Sequence, residues 1–127
     1  MRVLVFGTFD HLHPGHHFVL SEAAKRGELY VVVARDLNVQ KIKGKLPQES
    51  EEIRKKSLQD AFPDAHIVLG DEKDFLVPVR SVKPDLILLG YDQQLPPGVS
   101  EDDLQVHSER LPAFRPEQYK SSLRRMD

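Results

Sequence analysis

The amino-acid sequence predicts an α/β protein with a five-stranded parallel sheet and helices on both faces of the sheet. Four short runs are rich in Val, Ile and Leu, which is typical of strands that are buried on both faces, and a fifth run is expected to form an edge strand. The first two runs are separated by one helix-length segment, so they form a βαβ unit with parallel strands and a right-handed crossover. The predicted strands are residues 3–6, 29–34, 66–69, 86–89 and 106–111.

Length and composition indicate one domain over residues 1–127. A chain of 127 residues can bury one hydrophobic core but not two. The formal net charge is −2 and 30% of the residues are charged, which does not favour binding to nucleic acid or to a membrane surface. The sequence has no cysteine, no signal peptide and no apolar run long enough to span a bilayer. We therefore expect a cytoplasmic protein without disulfide bonds.

The segment that follows the first strand carries the strongest functional signal. Pro14 and Gly15 can begin a helix, because proline is tolerated in a first turn, and Gly27 is placed to end it. The unpaired N–H groups of this helix would point to the carboxyl edge of the sheet, where such sheets bind ligands. The partial positive charge there predicts an anionic ligand. His13 and His16 lie on either side of the junction and can donate hydrogen bonds to phosphate oxygens as charge builds up in a transition state.

Two other interpretations of the histidines remain open from their spacing alone. They can be ordinary turn and capping residues, or four of them can form a zinc site. The absence of cysteine and of partners at recognisable metal-binding spacing disfavours zinc. No G-x-G-x-x-G pattern follows the first strand, which argues against a dinucleotide-binding dehydrogenase. The four candidate zinc ligands are His11, His13, His16 and His17.

Three lysines follow the second strand. Lys41, Lys43 and Lys45 are predicted to lie in a loop that contains Gly44 and Pro47. Such a run is usually solvated surface, but a mobile basic loop beside a phosphate site can neutralise the charge of a departing phosphate group. The spacing does not distinguish Lys43 from Lys45.

The next predicted helix begins at Ser50, which is a good N-cap residue and is followed by acidic residues in the first turn. Ile53 is expected to face the core. Arg54 can form a surface ion pair with Glu51 or Glu52, and this interpretation needs no ligand.

The second half of the chain completes the sheet. A weak helix is predicted over residues 74–82, and the apolar strand 86–89 is expected to be central. The turn at residues 90–93 follows this strand, so it lies at the same edge as the histidines. Ser100 can cap a short helix before the edge strand 106–111.

Two stretches together resemble the signature of a known family. Residues 7–10, Gly-Thr-Phe-Asp, and residues 13–16, His-Pro-Gly-His, are similar to the G-T-F-D and H-x-G-H motifs of the cytidylyltransferase-like nucleotidyltransferases. The resemblance implies a single Rossmann-like domain in which a substrate phosphate attacks the α-phosphorus of a nucleoside triphosphate. Pyrophosphate is released without a covalent enzyme intermediate. The resemblance assigns His13 and His16 to the triphosphate and its transition state.

The resemblance also implies roles for residues elsewhere in the chain. Lys43 or Lys45 would neutralise charge during catalysis, and Arg54 would face phosphate. Asp10, together with Mg²⁺ or another divalent cation, would help to place the nucleotide. A homodimer is expected, because family members commonly pair. The implied nucleotide-binding residues are Gly7, Thr8, Phe9, Asp10, His13, Gly15, His16, Arg54, Gly90, Tyr91, Asp92, Gln93, Arg115, Ser121 and Ser122.

Two short stretches distinguish branches within this family. Residues 90–93, Gly-Tyr-Asp-Gln, and residues 120–122, Lys-Ser-Ser, are more similar to the archaeal-type FAD synthases than to the glycerol-3-phosphate cytidylyltransferases. The resemblance therefore implies transfer of AMP from ATP to FMN, with transfer of CMP from CTP to glycerol 3-phosphate as the alternative. A nucleotide-binding module without turnover is a third hypothesis, and the intact histidines and cations argue against it.

Overall fold

The computed structural model describes residues 1–91, 93, 95–96 and 98–112. The strands are β1 (Arg2–Gly7), β2 (Glu28–Val33), β3 (His66–Leu69), β4 (Leu86–Leu89) and β5 (Ser108–Arg110). The helices are α1 (Pro14–Arg26), α2 (Asp36–Lys43), α3 (Glu51–Ala61) and α4 (Val77–Val82), and a 3₁₀ helix spans Glu101–Leu104. All strand pairings are parallel, and the strand order is β3-β2-β1-β4-β5. The predicted fold class is therefore confirmed.

Strand β1 lies at the centre of the sheet. It pairs with β2 from Arg2 opposite Glu28 to Gly7 opposite Val33, and it pairs with β4 on its other side. Because parallel strands end at one common edge, the turn after β1 lies between the ends of β2 and β4. Helix α1 begins at this edge, so the predicted phosphate site lies between two neighbouring strand ends.

Two hydrophobic clusters hold the helices against the two faces of the sheet. Side chains alternate along a strand, so Val3 and Val5 point to one face while Leu4 and Phe6 point to the other. The first cluster joins Val3 and Val5 to α1 and α3 through Leu20, Ala23 and Leu58. The second joins Leu4 and Phe6 to α4 and the 3₁₀ helix through Val79, Val82 and Leu104. Each fully buried aliphatic side chain contributes about 1.5–3 kcal/mol, so both layers are fixed independently of any ligand.

The first part of the segment predicted as a basic loop is helical. Helix α2 covers Asp36–Lys43, so Lys43 lies in its last turn and Lys45 lies beyond its end. The helix ends at Gly44, whose φ of 83° is a left-handed conformation that glycine adopts without steric cost. This helix is not predicted from the sequence because its one buried residue, Val39, gives no periodic apolar stripe.

The other helices agree with the prediction to different degrees. Helix α1 spans Pro14–Arg26, as predicted. Helix α4 begins at Val77, with Pro78 in its first turn, and is shorter than the predicted 74–82. In α3, Ile53 is 52% exposed and does not face the core. Within the part of the chain that the structure describes, no helix has both the length and the apolar character needed to cross a membrane.

Candidate active site

The N-terminus of α1 holds two histidine rings face to face at the carboxyl edge of the sheet. His13 is the N-cap residue, and its Nδ1 accepts a hydrogen bond from the Gly15 N–H at 3.1 Å. The Nδ1 of His16 accepts from the His13 N–H at 3.4 Å, which completes a reciprocal capping arrangement. The ring centroids are 3.7 Å apart with an interplanar angle of 24°. The backbone of α1 therefore orients both rings.

These hydrogen bonds determine where each neutral ring carries its proton. A ring nitrogen that accepts a hydrogen bond from an N–H group must be unprotonated, and Nδ1 is that nitrogen in both His13 and His16. The proton of each neutral ring is then on Nε2. Each histidine therefore offers one N–H donor in addition to the capping arrangement.

The surroundings keep both rings neutral at neutral pH. Burial lowers the pKa of His16 to about 4; the charges of His13, His17 and Lys43 act in the same direction, while Asp10 opposes them. Burial, followed by the charge of His17, also lowers the pKa of His13. The two rings are therefore neutral hydrogen-bond donors near the Lys43 ammonium group, an arrangement that favours an anion.

The turn between β1 and α1 has an unusual backbone conformation. Phe9 and His11 have φ angles of 55° and 54°, in a region that residues with large side chains rarely adopt. The Phe9 side chain is buried, and its ring meets His16 edge-on with 5.3 Å between centroids. A Cβ atom on Gly7 would lie 2.7 Å from the Phe9 ring, so only glycine fits there. Packing thus holds the strained turn against the histidines.

Helix α2 brings Lys43 to this turn. The Nζ of Lys43 donates a hydrogen bond to Thr8 Oγ1 at 3.1 Å. Its positive charge also contributes to the lowered pKa of His16. Lys45 is exposed and lies beyond the end of α2. Of the two candidate lysines, Lys43 is the one whose contact with the turn is observed.

Arg54 lies beneath the same turn and has no exposed surface. Its Nη1 donates to the Thr8 carbonyl at 2.7 Å, and its Nη2 donates to the Asp36 carboxylate at 2.6 Å. Its Nε donates to the Glu49 carbonyl at 3.1 Å. The expected surface ion pair with a glutamate of the first turn is therefore wrong, because the side chain turns inward and pairs with the first residue of α2. Through these three hydrogen bonds, Arg54 joins α2, α3 and the turn into one unit.

Asp10 fastens the segment that precedes α3. Its carboxylate accepts the N–H groups of Gln48 and Glu49, each at 2.9 Å, and Glu49 in return accepts the His11 N–H at 2.9 Å. Burial on its own raises the pKa of Asp10, but the two backbone donors, together with His11 and Arg54, lower it below its usual range. Asp10 is therefore ionised at neutral pH, and both of its oxygens bond to the protein.

The described residues contain no group of three or more His, Cys, Asp or Glu side chains that could hold a metal ion. This finding is contrary to the zinc interpretation of the histidines. His17 instead packs near Phe62, with 5.6 Å between ring centroids, and His11 lies 3.6 Å from the Glu49 carboxylate. Asp10 fits a metal ion only as a supplement to oxygen atoms of a substrate, which is a common arrangement for Mg²⁺ on phosphates.

The turn after β4 lies at the same edge, and the polar groups of Gly90 and Gln93, which the structure describes, bond to the protein itself. Gln93 accepts the Gly90 N–H at 3.0 Å and donates to the Phe6 carbonyl at 2.9 Å. Arg110 donates to the carbonyls of Gly90 and Gln93 at 2.8 and 2.7 Å. Tyr91 is 54% exposed. This turn is thereby joined to β1 and β5.

Some residues of the predicted site lie outside the described residues. These are Asp92, Arg115, Ser121 and Ser122. The contacts described above bring together the turn after β1, the start of α1, Lys43 and Arg54, whereas Lys45 forms no hydrogen bond or ion pair with another described residue.

Sequence reasoning missed Asp36 as the partner of Arg54. The signal that could have identified it is its position, since an acidic residue shortly after β2, at the start of α2, lies at the edge where the strands end. An arginine in the following helix is a natural partner for such a carboxylate. The two residues are 18 positions apart, and no periodic pattern connects them.

Comparison with known proteins gives matches over most of the chain. The family model described as cytidylyltransferase-like matches residues 4–122. A FAD synthase from Methanospirillum hungatei is 41% identical over 124 residues, covering 96% of this chain and 78% of that protein. A FAD synthase from Aciduliprofundum boonei is 40% identical over 123 residues, with coverages of 96% and 82%.

Solved structures give the same picture. The crystal structure of a lipopolysaccharide core biosynthesis protein from Thermoplasma volcanium matches with a TM-score of 0.78 and 37% identity, and the match covers 90% of this chain and 98% of that one. A protein of unknown function from Archaeoglobus fulgidus has a TM-score of 0.63 at 19% identity, with coverages of 88% and 90%, which supports the fold alone.

Proposed function

The chain belongs to the cytidylyltransferase-like family and is a nucleotidyltransferase, and we propose that it transfers AMP from ATP to FMN with release of pyrophosphate. Support for these substrates comes from the relatives named FAD synthase, which are 40–41% identical over 96% of this chain. The alternative pair, CTP and glycerol 3-phosphate, is not favoured by these relatives.

The observation that carries the proposal is the pair of Nε2–H donors at the N-terminus of α1. A phosphate oxygen of FMN attacks the α-phosphorus of ATP, while the bond from that phosphorus to the bridging oxygen of pyrophosphate breaks. Negative charge builds on the α-phosphate oxygens in this step, and His13 and His16 donate hydrogen bonds to them. Little reorganisation is needed as the charge develops, because the backbone already orients both rings.

We assign Lys43 to the charge that develops on the departing pyrophosphate. Its hydrogen bond to Thr8 keeps the ammonium group beside the turn that the nucleotide would contact. Arg54 acts differently from what the family resemblance implies. Its guanidinium has no exposed surface, so it supports the site by holding the Thr8 carbonyl and does not contact phosphate directly.

A divalent cation, most simply Mg²⁺, would accompany the triphosphate. Mg²⁺ usually keeps several water ligands and binds through substrate phosphates and one or two carboxylates. Asp10 is the candidate carboxylate, although both of its oxygens also accept backbone N–H groups. The cation would neutralise part of the triphosphate charge. The hydrogen bonds to the α-phosphate in the transfer step come from the histidines.

The test is a matrix of pyrophosphate release in the presence of Mg²⁺, with ATP or CTP crossed against FMN and glycerol 3-phosphate, and with reactions that lack an acceptor as controls. We expect release only with ATP and FMN, together with FAD detected by chromatography. Turnover only with CTP and glycerol 3-phosphate would assign the chain to the cytidylyltransferase branch. A complete absence of release with every pair would favour the nucleotide-binding module without turnover.

We also propose that the protein forms a homodimer and is located in the cytoplasm. Light scattering at working concentration measures the oligomeric state, and a monomeric mass would contradict the dimer. Cell fractionation tests the location.

A further inference from the structure

We propose that Glu51 is a positioning residue for Lys43. Glu51 is the first residue of α3; it holds the start of α2, and α2 in turn places the Lys43 ammonium group at the turn after β1. The contacts that carry this inference lie within the protein, whereas its effect on turnover rests on the proposed function.

The Glu51 carboxylate supplies a cap that α2 does not obtain from its own N-cap residue. That residue is Arg35, and its side chain forms no capping hydrogen bond. Oε1 of Glu51 instead accepts the N–H of Asp36, the first residue of α2, at 2.8 Å. The first N–H groups of a helix have no partner inside the helix, and a carboxylate satisfies both such a group and the partial positive charge there. Glu51 therefore caps α2 from a neighbouring helix.

Glu51 is itself held in place by the sheet. Its Oε2 accepts from Arg35 Nη1 at 3.0 Å, and Arg35 Nε donates to the Gly70 carbonyl at 2.7 Å. Gly70 directly follows β3, and its N–H donates to the Val33 carbonyl at the end of β2 at 2.8 Å. The side chains of Glu51 and Arg35 are only 22% and 32% exposed, so these bonds are partly shielded from water. The start of α2 is thereby fixed to the ends of two strands.

Helix α2 depends on polar attachments because it contributes little to the core. Only Val39 of its eight residues is buried, and an isolated helix of this length is not stable in water. Further attachments come from Asp36, whose carboxylate accepts from Arg54, and from Asn38, which donates to the Asp71 carbonyl at 2.9 Å. All of these contacts, including that of Val39, lie in the first half of the helix.

The position of Lys43 is therefore set from the opposite end of α2. Lys43 lies seven residues after Asp36, which is about 10 Å along the helix axis. A tilt of about 10° at the start of the helix would move its end by about 2 Å. The Lys43 Nζ would then leave hydrogen-bonding distance of Thr8 Oγ1, which is now 3.1 Å away. Loss of the Glu51 carboxylate frees the Asp36 N–H and permits such a tilt.

The first test is kinetic and has a matched control in the same helical turn. Glu52 follows Glu51 in α3, is exposed, and forms no hydrogen bond or ion pair with another residue that the structure describes. Glu51→Ala and Glu52→Ala thus remove the same charge from the start of α3. We expect Glu51→Ala to lower kcat by about fivefold, as displacement of one unit charge from a developing anion predicts, and Glu52→Ala to change kcat by less than about twofold. Thermal unfolding of each variant gives the folded fraction to which kcat is referred.

A double variant shows whether Glu51 acts through Lys43. In the Lys43→Met background, Glu51→Ala should lower kcat by less than about twofold, because no ammonium group is left to position. Losses that multiply would show that Glu51 acts independently of Lys43 and would overturn the proposal. Glu51→Gln keeps a side-chain oxygen for the Asp36 N–H and should retain at least about half of the wild-type kcat. A loss as large as that in Glu51→Ala would show that the cap is not what matters.

The second test needs no substrate and follows the His16 ring by NMR as the pH is changed. The charge of Lys43 contributes to the lowered pKa of His16, so Lys43→Met should raise this pKa. Glu51→Ala should also raise the pKa, because the ammonium group moves away. The direct effect of removing a carboxylate has the opposite sign, since losing a negative charge lowers the pKa of a nearby histidine. Glu52→Ala measures that direct effect.

The outcomes separate the positioning role from the proposed function. If FAD forms, but Glu51→Ala leaves the His16 pKa unchanged, the positioning role is wrong and the function stands, whether or not kcat falls. If Glu51→Ala raises the His16 pKa as Lys43→Met does, but no FAD forms from ATP and FMN, the function is wrong and the placement of Lys43 by Glu51 stands. If neither the pKa rises nor FAD forms, both are overturned.

Discussion

The turns after β1 and β4 lie side by side at one edge of the sheet and use their polar groups in opposite ways. In the turn after β1, the Nδ1 atoms of His13 and His16 accept backbone N–H groups, so each neutral ring presents Nε2–H as a donor. In the turn after β4, Gln93 donates to Phe6 and accepts from Gly90. The first arrangement leaves each ring with its Nε2–H as a donor, whereas the second bonds both ends of the Gln93 amide to backbone groups.

The difference shows that position at the carboxyl edge is not sufficient to define the reactive part of a site. Parallel strands bring both turns to the same place. What distinguishes them is that the histidines keep Nε2–H outside the capping bonds of one helix, whereas Gln93 joins its turn to β1. The following predictions test this distinction through the effect on turnover, beginning with the largest.

Replacement of His16 should have the largest effect. His16→Ala removes one of the two Nε2–H donors, and loss of one such donor typically lowers kcat by about 10²–10³-fold. The helix should remain folded, because the His13 ring still accepts the Gly15 N–H. The measurement is pyrophosphate release together with thermal unfolding. The control is His17→Ala, which changes another histidine of the same helix. The His17 ring is exposed and lies near Phe62. Equal losses in the two variants would show that the loss in His16→Ala does not come from a missing donor.

Replacement of Lys43 should have a smaller effect. Lys43→Met keeps a long apolar stem and removes the charge that contacts Thr8. A unit charge about 4 Å from an anion in water contributes about 1 kcal/mol, or about fivefold in rate, so kcat should fall by about that factor or more. Lys41→Met changes an exposed lysine of the same helix and is the matched control. The assignment is withdrawn if the two variants turn over equally fast at saturating ATP.

Replacement of Gln93 should affect stability more than turnover. Gln93→Ala leaves the Gly90 N–H and the Phe6 carbonyl without their partner, and such unpaired groups cost about 1–3 kcal/mol. Thermal unfolding should therefore shift to lower temperature, while kcat per folded molecule changes less than in Lys43→Met. An increase of tenfold or more in KM for ATP with unchanged thermal stability would instead make Gln93 part of the nucleotide site and remove the contrast between the two turns.

The fold was largely predictable because apolar runs mark the strands, and residues that favour helix ends mark the first helix. Pro14 and Gly27 gave the bounds of α1 correctly. Helix α2 was not predictable in the same way, because only Val39 is buried and its three lysine neighbours resemble a solvated loop. Ile53 was placed in the core from its hydrophobicity alone, yet it is exposed, since a short helix that packs through few residues leaves some apolar side chains outside.

The candidate site was predictable only where its chemistry is contiguous in the sequence. The stretch that contains His13 and His16 could be interpreted directly, because cap, helix start and donors fall within a few residues. The contacts of Arg54 with Asp36 and Thr8 could not, because they join residues that are 18 and 46 positions apart. The choice of Lys43 over Lys45 likewise depends on the unpredicted helix α2.

The left-handed conformations of Phe9 and His11 bear on when the turn loses its conformational entropy. A turn that ordered only when ATP arrived would lose backbone freedom in every catalytic cycle, at about 1–2 kcal/mol for each residue fixed. Here Phe9 is held by packing, and the carboxylates of Asp10 and Glu49 tie this turn to the segment before α3. The entropic cost of ordering this turn is therefore incurred once, when the chain folds, and the substrate binds to a turn that is already ordered.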